Sequence, residues 1–383
     1  MKTLRALAPL SALLAGVFSH SALANDIPSA PRVDASGYIL MDAASGQIMV
    51  EHNIHEPLPP ASLTKIMTDY IAAREIANDN LALDDMVTIS VKAWRMGGSR
   101  MFVKEGSQVK VEDLLRGIAI QSGNDAAVAI AEHIAGSEEA FAEMMNQQAN
   151  RLGMKNSFFA NATGWPDERQ VSSAYDMAVL GRALIQNYPE NYALYKEKSF
   201  SYNGIDQTNR NLLLWRDPSV DGMKTGHTEA AGYSLVASAQ RDSMRLIAVV
   251  MGAKSEQARA RETQTLLNYG FRFYESYEAY DAGETLTTTR VWMGTDAKVA
   301  LGLDEKLAMV IPRGSHDSLD AQMTVNDHVR APIEQGQQLG TLVIRSGEQV
   351  LLEKPLVALT AVEEAGLFKR LWHHVLLFFH NLF

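Results

Sequence analysis

The 383-residue sequence contains no cysteine. This absence excludes a thiol nucleophile, an iron–sulfur cluster and a zinc site built on cysteine. The ten histidines show no HExxH motif or comparable ligand spacing, so we expect no catalytic metal. Basic residues are outnumbered by acidic ones, and the formal net charge of −10 argues against nucleic acid as a partner.

The apolar run near the N-terminus is too short for a transmembrane helix. Lys2 and Arg5 precede an apolar segment from Ala6 to Phe18, whereas a bilayer-spanning helix needs about 20 apolar residues. Ala22-Leu-Ala24 then supplies the small-x-small pattern at which signal peptidase cleaves. We expect residues 1–24 to be a secretory signal peptide, with an uncleaved membrane anchor as the alternative.

Residues 25–279 are expected to form one domain with strands near both of its ends. Gly37–Asp42 and Gln47–Val50 predict a hairpin, and apolar residues recur at helical spacing from Leu63 onward. This grouping predicts an α+β fold whose antiparallel sheet is built from both ends and flanked by helices. The further predicted helices cover residues 111–135 (interrupted at 122–124), 138–152, 173–185 and 263–269, and the further strands cover 220–225, 233–239 and 246–251.

Residues 280–362 differ in character and predict a small all-β domain. Short alternating segments at 286–292, 307–311, 321–325 and 341–344 are separated by Gly, Pro and Asp turns. No catalytic constellation is present in them. We therefore interpret this domain as a spacer that holds the first domain away from another structure.

Residues 363–383 predict a terminal amphipathic helix. On a helical wheel, Leu367, Phe368, Leu371 and Trp372 fall on an aromatic-rich half that continues to Phe383, opposite basic and histidine residues. Such a helix suits the interface of a membrane, although it is too polar to span one. Docking on the protein's own surface is the alternative.

The first motif with chemical potential is Ser62-Leu-Thr-Lys65. Residues three apart share a helix face, so the lysine amine can reach the serine hydroxyl. Serine becomes a nucleophile when a base takes its proton, and lysine can be that base if burial and nearby positive charge lower its pKa. Alone, the motif is weak evidence because both residue types are common.

Two further motifs follow in order, each weak by itself. Ser122-Gly-Asn124 lies at a predicted helix break, where a hydroxyl can relay a proton and the Asn124 amide can bind a substrate carbonyl. Lys224-Thr-Gly226 lies on a predicted edge strand, where Lys224 and Thr225 can hold a carboxylate and Gly226 lets a peptide approach. The combination is the pattern of serine acyl transferases.

Over almost the whole chain after residue 24, the sequence resembles the type-5/type-6 low-molecular-mass penicillin-binding proteins. These are D-alanyl-D-alanine carboxypeptidases of Gram-negative bacteria. The resemblance implies a β-lactamase/transpeptidase-like fold, peptidoglycan pentapeptide stems as substrate, β-lactams as covalent inhibitors and no cofactor. It also implies a periplasmic enzyme anchored to the outer face of the inner membrane by residues 363–383. The stretches that carry it are 60–65, 121–126, 220–228, 248–252 and 270–273.

The resemblance also implies roles for individual residues. Ser62 would be acylated by the penultimate D-alanine, Lys65 would be the general base and Ser122 the proton relay. The oxyanion would be held by the backbone N–H groups of Ser62 and His227. The residues implied for substrate binding are Asn124, Lys224, Thr225, Gly226 and His227, together with Arg259 and Arg210 at basic positions of the family's active-site region.

Three other functions remain open. A class A β-lactamase needs a Glu-x-x-Leu-Asn setting after the second motif, and Ser157–Gly164 contains no Glu, while Glu168 lacks the Leu-Asn partners. A DD-endopeptidase would use the same apparatus, but such enzymes often lack the β domain and anchor. A non-catalytic penicillin-binding module is disfavoured because Lys65, Ser122 and Lys224 are all present.

Overall fold

The computed structural model describes residues 27–380. The expected signal peptide, residues 1–24, lies outside this range, as do the last three residues of the expected anchor helix. The strands of the first domain are β1 (Gly37–Asp42), β2 (Ile48–His52), β3 (Met86–Thr88), β4 (Gln108–Lys110), β5 (Ser199–Tyr202), β6 (Ile205–Thr208), β7 (Val220–Thr228), β8 (Gly232–Arg241) and β9 (Met244–Ala253). Its helices are α1 (Lys65–Ala77), α2 (Val91–Arg95), α3 (Val111–Arg116), α4 (Asn124–Ala135), α5 (Glu138–Arg151), α6 (Ala174–Asn187), α7 (Pro189–Tyr192), α8 (Leu213–Arg216) and α9 (Glu256–Phe273).

A five-stranded antiparallel sheet joins the two ends of this domain. Its strand order is β2-β1-β9-β8-β7, so the N-terminal hairpin pairs with the last strand of the domain and β7 forms an edge. The expected α+β fold with a sheet built from both ends is confirmed.

Helices cover both faces of this sheet. Successive side chains of a strand point to opposite faces. On β9, Ile247 and Val249 pack into the core formed with α1 and α6, whereas Ala248 and Val250 pack into the core formed with α9. Because both faces are buried, β9 has a nearly continuous apolar sequence rather than an alternating one.

The second part of the chain is all-β, as expected. Its strands are β10 (Tyr274–Tyr280), β11 (Thr287–Arg290), β12 (Lys298–Gly302), β13 (Leu307–Pro312), β14 (Leu319–Val325), β15 (Gln338–Ser346) and β16 (Gln349–Ala358). They form a sheet of order β11-β12-β16-β15-β14 and a separate β10–β13 ribbon. Because β10 follows α9 directly, the change to all-β structure occurs at Tyr274, before the expected boundary at residue 280.

The C-terminal helix α10 (Leu367–His380) contacts the second domain through Lys369 and His373 and through the apolar side chain of Leu376, which packs on Trp292 and Met293. The Met293 backbone N–H donates to Nδ1 of His373 over 2.7 Å, and Nζ of Lys369 donates to the Thr295 carbonyl over 2.8 Å. Leu367, Phe368, Leu371 and Trp372 are all exposed. Within residues 27–380, no helix has both the length and the apolar character needed to cross a membrane.

Helix α9 differs from the sequence-based expectation in extent, and several elements, among them β10, β12 and β16, were not expected. Helix α9 begins at Glu256, not Thr263, because the Ser255 hydroxyl caps it by accepting the Ala258 N–H. This extension places Arg259 in the first turn of the helix. Strand β16 was not predicted, and it contains Pro355, which cannot donate to a ladder, yet it pairs along both of its edges.

Candidate active site

Ser62 and Lys65 meet where the chain enters α1. Ser62 lies in a short 3₁₀ turn, Ala61–Thr64, and Lys65 is the first residue of the helix. The Lys65 amine lies 3.0 Å from Ser62 Oγ, 2.7 Å from Asn124 Oδ1 and 2.6 Å from the Thr163 carbonyl. An ammonium can donate to all three, whereas a neutral amine can donate to two and accept the serine proton.

Burial sets the protonation of this amine. The side chain of Lys65 is completely buried, and loss of solvation lowers its pKa from 10.5 to about 7. The value of about 7 includes the effects of neighbouring charges. The positive charge of Arg210 contributes to the lowering, while the carboxylates of Asp69 and Asp125 oppose it. A neutral amine is therefore accessible near neutral pH, which is the state that a general base requires.

The second motif closes the other side of the site. Ser122 follows a π-helical turn, Gly117–Gln121, and adopts a left-handed conformation with φ of 65°. Its Oγ is buried and has no hydrogen-bond partner, so it is not bonded to Lys65. Asn124 links the segment at Gly97 to helix α1, since its Nδ2 donates to the Gly97 carbonyl while its Oδ1 accepts from Lys65.

The third motif lies on β7, the edge strand. Lys224 is buried, its Nζ lies 3.4 Å from the Thr225 carbonyl, and burial followed by the charge of Lys65 lowers its pKa. Gly226 also has a packing role within the protein. A Cβ there would lie 2.9 Å from the Pro60 carbonyl, so the glycine allows β7 to pack against the Ser62 turn.

Arg259 and His227 complete the cationic side of the site. Arg259 is 4% exposed and pairs with Glu256 over 3.0 Å, and its guanidinium lies over the Tyr233 ring. The His227 ring stacks on Tyr233 at 3.9 Å, and its Nδ1 lies 2.9 Å from the Gly232 carbonyl. Neighbouring Arg261 instead forms an ion pair with Glu262 and is largely exposed, so it does not contribute to the site.

One cleft of about 560 Å³ brings the predicted residues together. Lys65 and Lys224 lie behind its wall, and the other predicted residues line it. The arrangement places a serine hydroxyl beside a buried base and near several cations, which suits acyl transfer from a substrate with a carboxylate. The predicted residues that line the cleft are Ser62, Ser122, Asn124, Arg210, Thr225, Gly226, His227 and Arg259.

The loop containing Thr163 was not predicted to be part of the site. The sequence Asn161-Ala-Thr-Gly164 suggests only a turn. Its carbonyl at Thr163 binds Lys65, and Asn161 Oδ1 accepts the Thr163 and Gly164 backbone N–H groups, which orders the loop. Backbone acceptors leave no trace in residue type, so no sequence signal could have identified Thr163.

Comparisons with known proteins agree with this geometry. The family model described as D-alanyl-D-alanine carboxypeptidase matches residues 24–255, and the model described as penicillin-binding protein 5, C-terminal domain, matches residues 274–364. The sequence is 45% identical over 388 residues to D-alanyl-D-alanine carboxypeptidase DacC of Escherichia coli (strain K12), covering 99% of this chain and 97% of that relative.

The chain is also similar to solved structures of penicillin-binding proteins. Penicillin binding protein 5 from Haemophilus influenzae has a TM-score of 0.86 and 40% identity, covering 88% of this chain and 100% of that chain. Penicillin-binding protein D2 from Listeria monocytogenes, in its ampicillin-bound form, has a TM-score of 0.59 and 27% identity, covering 64% of this chain and 100% of that one.

Gly164 offers a test of how tightly the loop holds the Ser62 turn. Its φ is +81°, and a Cβ there would lie 1.8 Å from the Ala61 carbonyl oxygen. We expect Gly164→Ala to lower the free energy of unfolding by about 3 kcal/mol, because both the backbone conformation and the overlap oppose the new methyl group. Urea unfolding followed by circular dichroism measures the change.

Gly153→Ala is the matched control for that variant. Gly153 also has a positive φ, +75°, but nothing lies within 4 Å of the position of its Cβ. Its substitution should cost about 1 kcal/mol, from the backbone conformation alone. Equal decreases in the free energy of unfolding in the two variants would show that the loop relaxes around the new methyl group and is not packed tightly against the Ser62 turn.

Proposed function

The chain belongs to the D-alanyl-D-alanine carboxypeptidase family of serine peptidases, and from this premise we propose that it trims peptidoglycan pentapeptide stems through an acyl-enzyme on Ser62. The family membership expected from the sequence is confirmed. The contact that carries the proposal is the 3.0 Å distance from Lys65 Nζ to Ser62 Oγ, together with the lowered pKa of that amine.

Acylation follows from this contact. The neutral Lys65 amine takes the proton of Ser62, and Oγ attacks the carbonyl carbon of the penultimate D-alanine. The backbone N–H groups of Ser62 and His227 hold the oxyanion of the tetrahedral intermediate. The C–N bond then breaks, and the terminal D-alanine leaves as its amine accepts a proton that came from Ser62.

The return of that proton is the role we assign to Ser122. Ser122 lines the cleft and its Oγ has no hydrogen-bond partner, which leaves the hydroxyl free to pass a proton from Lys65 to the leaving amine. Water then attacks the acyl-enzyme, again with Lys65 as base. This step releases the shortened peptide and regenerates the Ser62 hydroxyl.

Substrate binding would use the cationic side of the cleft. Arg259 and Arg210 line it, Lys224 lies directly behind it, and their positive charges attract the terminal carboxylate of the substrate. The Thr225 hydroxyl is a further donor. The substrate backbone would lie along the edge strand β7, with the Asn124 amide and His227 on either side.

β-Lactams would acylate the same serine, which the likeness to an ampicillin-bound penicillin-binding protein supports. Among the residues described, Glu256 is the acid that lines the Ser62 cleft, and it pairs with Arg259. Glu168 lines a separate cavity beside the cleft. This placement disfavours the class A β-lactamase, which needs a glutamate to activate the deacylating water. An endopeptidase or a non-catalytic module remains an alternative for the same site.

We also propose that the enzyme lies in the periplasm, on the outer face of the inner membrane. Residues 1–24 would direct export, residues 280–362 would act as the spacer, and residues 363–383 would be the anchor. The orientation of α10 supports lipid contact, because Lys369 and His373 contact the second domain while Phe368 is 93% exposed and Trp372 is 61% exposed.

One prediction of this proposal concerns the nucleophile and its base. Ser62→Ala should abolish both D-alanine release from diacetyl-Lys-D-Ala-D-Ala and the mass adduct with penicillin. Lys65→Ala should lower both rates at least about 1000-fold, because the two groups act as a unit. A penicillin adduct on the Ser62→Ala protein would show that another residue is the nucleophile. An adduct on the wild type without D-alanine release would favour the alternatives above.

Another prediction of this proposal concerns the anchor. A chain ending at Val362 should appear in the soluble fraction after cell lysis, while retaining D-alanine release. The full chain should sediment with membranes, and Phe368→Glu combined with Leu371→Glu should release it, because charge on the exposed apolar side opposes insertion. Thr288→Glu, which adds charge to exposed β11, is the control and should remain bound. Sedimentation of the truncated chain with membranes would contradict the anchor.

A further inference from the structure

A buried carboxyl that none of the proposed steps uses lies behind the active site. Asp69 lies on α1, four residues after Lys65, so the two side chains share a helix face. Its side chain is 5% exposed, and the hydroxyl of Tyr195 donates a hydrogen bond to Oδ2. Its other oxygen, Oδ1, is buried without any hydrogen-bond partner. A buried acid with an unpaired oxygen is costly, so its presence needs an explanation.

The electrostatic surroundings of Asp69 suggest one. The charges of both Lys65 and Lys224 act on it, and its own charge acts on both lysines. The other groups that face Lys65 are Arg210, Asp125 and Glu138, and the others that face Lys224 are Arg210 and Arg259.

The two other acids near Lys65 have structural partners. Asp125 accepts the backbone N–H groups of residues 101–103, and Glu138 pairs with Lys92 and accepts the Ala162 N–H. Within residues 27–380, Asp69 is therefore the acid whose charge acts on both active-site lysines while one of its oxygens stays uncommitted.

The titration of Asp69 is coupled to that of its neighbours. Burial raises its pKa to about 7, while the Tyr195 hydrogen bond and the two lysine charges oppose the increase. Loss of a positive charge on a lysine favours the protonated carboxyl, and gain of one favours the carboxylate. The charge of Asp69 can thus respond to the charge of Lys65 at neutral pH.

We propose that Asp69 is a positioning residue whose carboxylate stabilises the ammonium formed when Lys65 takes the proton of Ser62. The inference rests on the proposed role of Lys65 as the general base. Asp69 takes no part in the proton transfer itself, because the proton passes from Ser62 Oγ to Lys65 Nζ and onward to the leaving amine. Asp69 acts through its charge alone.

The need for such a group follows from the other charges of the site. Arg210, Arg259 and Lys224 already place positive charge around the cleft for the substrate carboxylate. A further positive charge on Lys65, formed in a buried position, is opposed by Arg210 and by the protonated form of Lys224. A carboxylate behind the wall offsets this repulsion without entering the cleft, where it would repel the substrate.

The test is the pH dependence of kcat/KM for D-alanine release and of the rate of acylation by penicillin, measured for the full chain and for Asp69→Asn. The acid limb of the profile is the range in which the rate rises with pH as Lys65 loses its proton. Loss of the carboxylate lowers the pKa of Lys65, so this acid limb should move to lower pH by about one unit. Because the ammonium formed during acylation loses its counter-charge, the maximal rate should fall about tenfold. A purely structural defect would lower the rate without moving the limb.

Three further variants make the result specific. Tyr195→Phe removes the hydrogen bond that favours the carboxylate, so it should shift the acid limb in the same direction by less, and it tests the inference even if Asp69→Asn does not fold. Asp69→Glu should restore the limb toward its wild-type position. Asp176→Asn is the matched control, because Asp176 is also a buried aspartate with an unpaired Oδ1, held by Ser157 at the start of α6. It should leave the limb in place.

The outcomes separate this inference from the proposed function. If the wild type releases D-alanine with an acid limb near neutral pH, and neither Asp69→Asn nor Tyr195→Phe moves that limb, Asp69 is only structural and the inference is wrong. If the wild type shows no such limb, the role of Lys65 itself fails. A shift of equal size in Asp176→Asn would also overturn the inference, because the effect would then not depend on proximity to the lysines.

Discussion

The buried amine of Lys65 is the constraint on which the rest of the site depends. Its three acceptors come from the turn before α1, the start of α4 and the loop at Thr163. Burial lowers the pKa of the amine, but it also makes every unmade hydrogen bond costly. The three segments must therefore meet at one point within a few tenths of an ångström. The fully covered central sheet supplies the rigid base that this requires.

The fold was predictable to the extent that its sequence patterns are local. The N-terminal hairpin, the longer helices of the first domain and the strands β7 to β9 follow from periodicity and turn residues. The pairing of both chain ends follows only from their grouping. Strands β10 and β16 are among those that were missed, since β10 continues directly from α9 without a turn and β16 contains Pro355. Tertiary pairing, which local sequence does not encode, determines both.

The site was predictable where chemistry depends on residue type. The first two motifs identify a serine, a lysine and an asparagine that the structure brings into contact. Two contributions were not predictable. The Thr163 carbonyl acts through its backbone, and Gly226 packs against Pro60 in addition to the peptide approach that the sequence suggests. Asp69, by contrast, left a signal, since its distance of four residues from Lys65 puts both on one helix face.

This carboxypeptidase site must satisfy two electrostatic demands that conflict. A substrate ending in a carboxylate requires positive charge around the cleft, and Arg210 and Arg259 supply it. The same charge favours the neutral form of Lys65, the proposed base, but it opposes the protonated form that the proposed mechanism requires between removal of the serine proton and its delivery to the leaving amine. In a more strongly positive cleft, the substrate carboxylate would bind more tightly, but Lys65 would accept the serine proton less readily. A carboxyl placed behind the wall, such as that of Asp69, relieves the conflict because it acts on the lysine at short range while the protein surface facing the substrate stays positive.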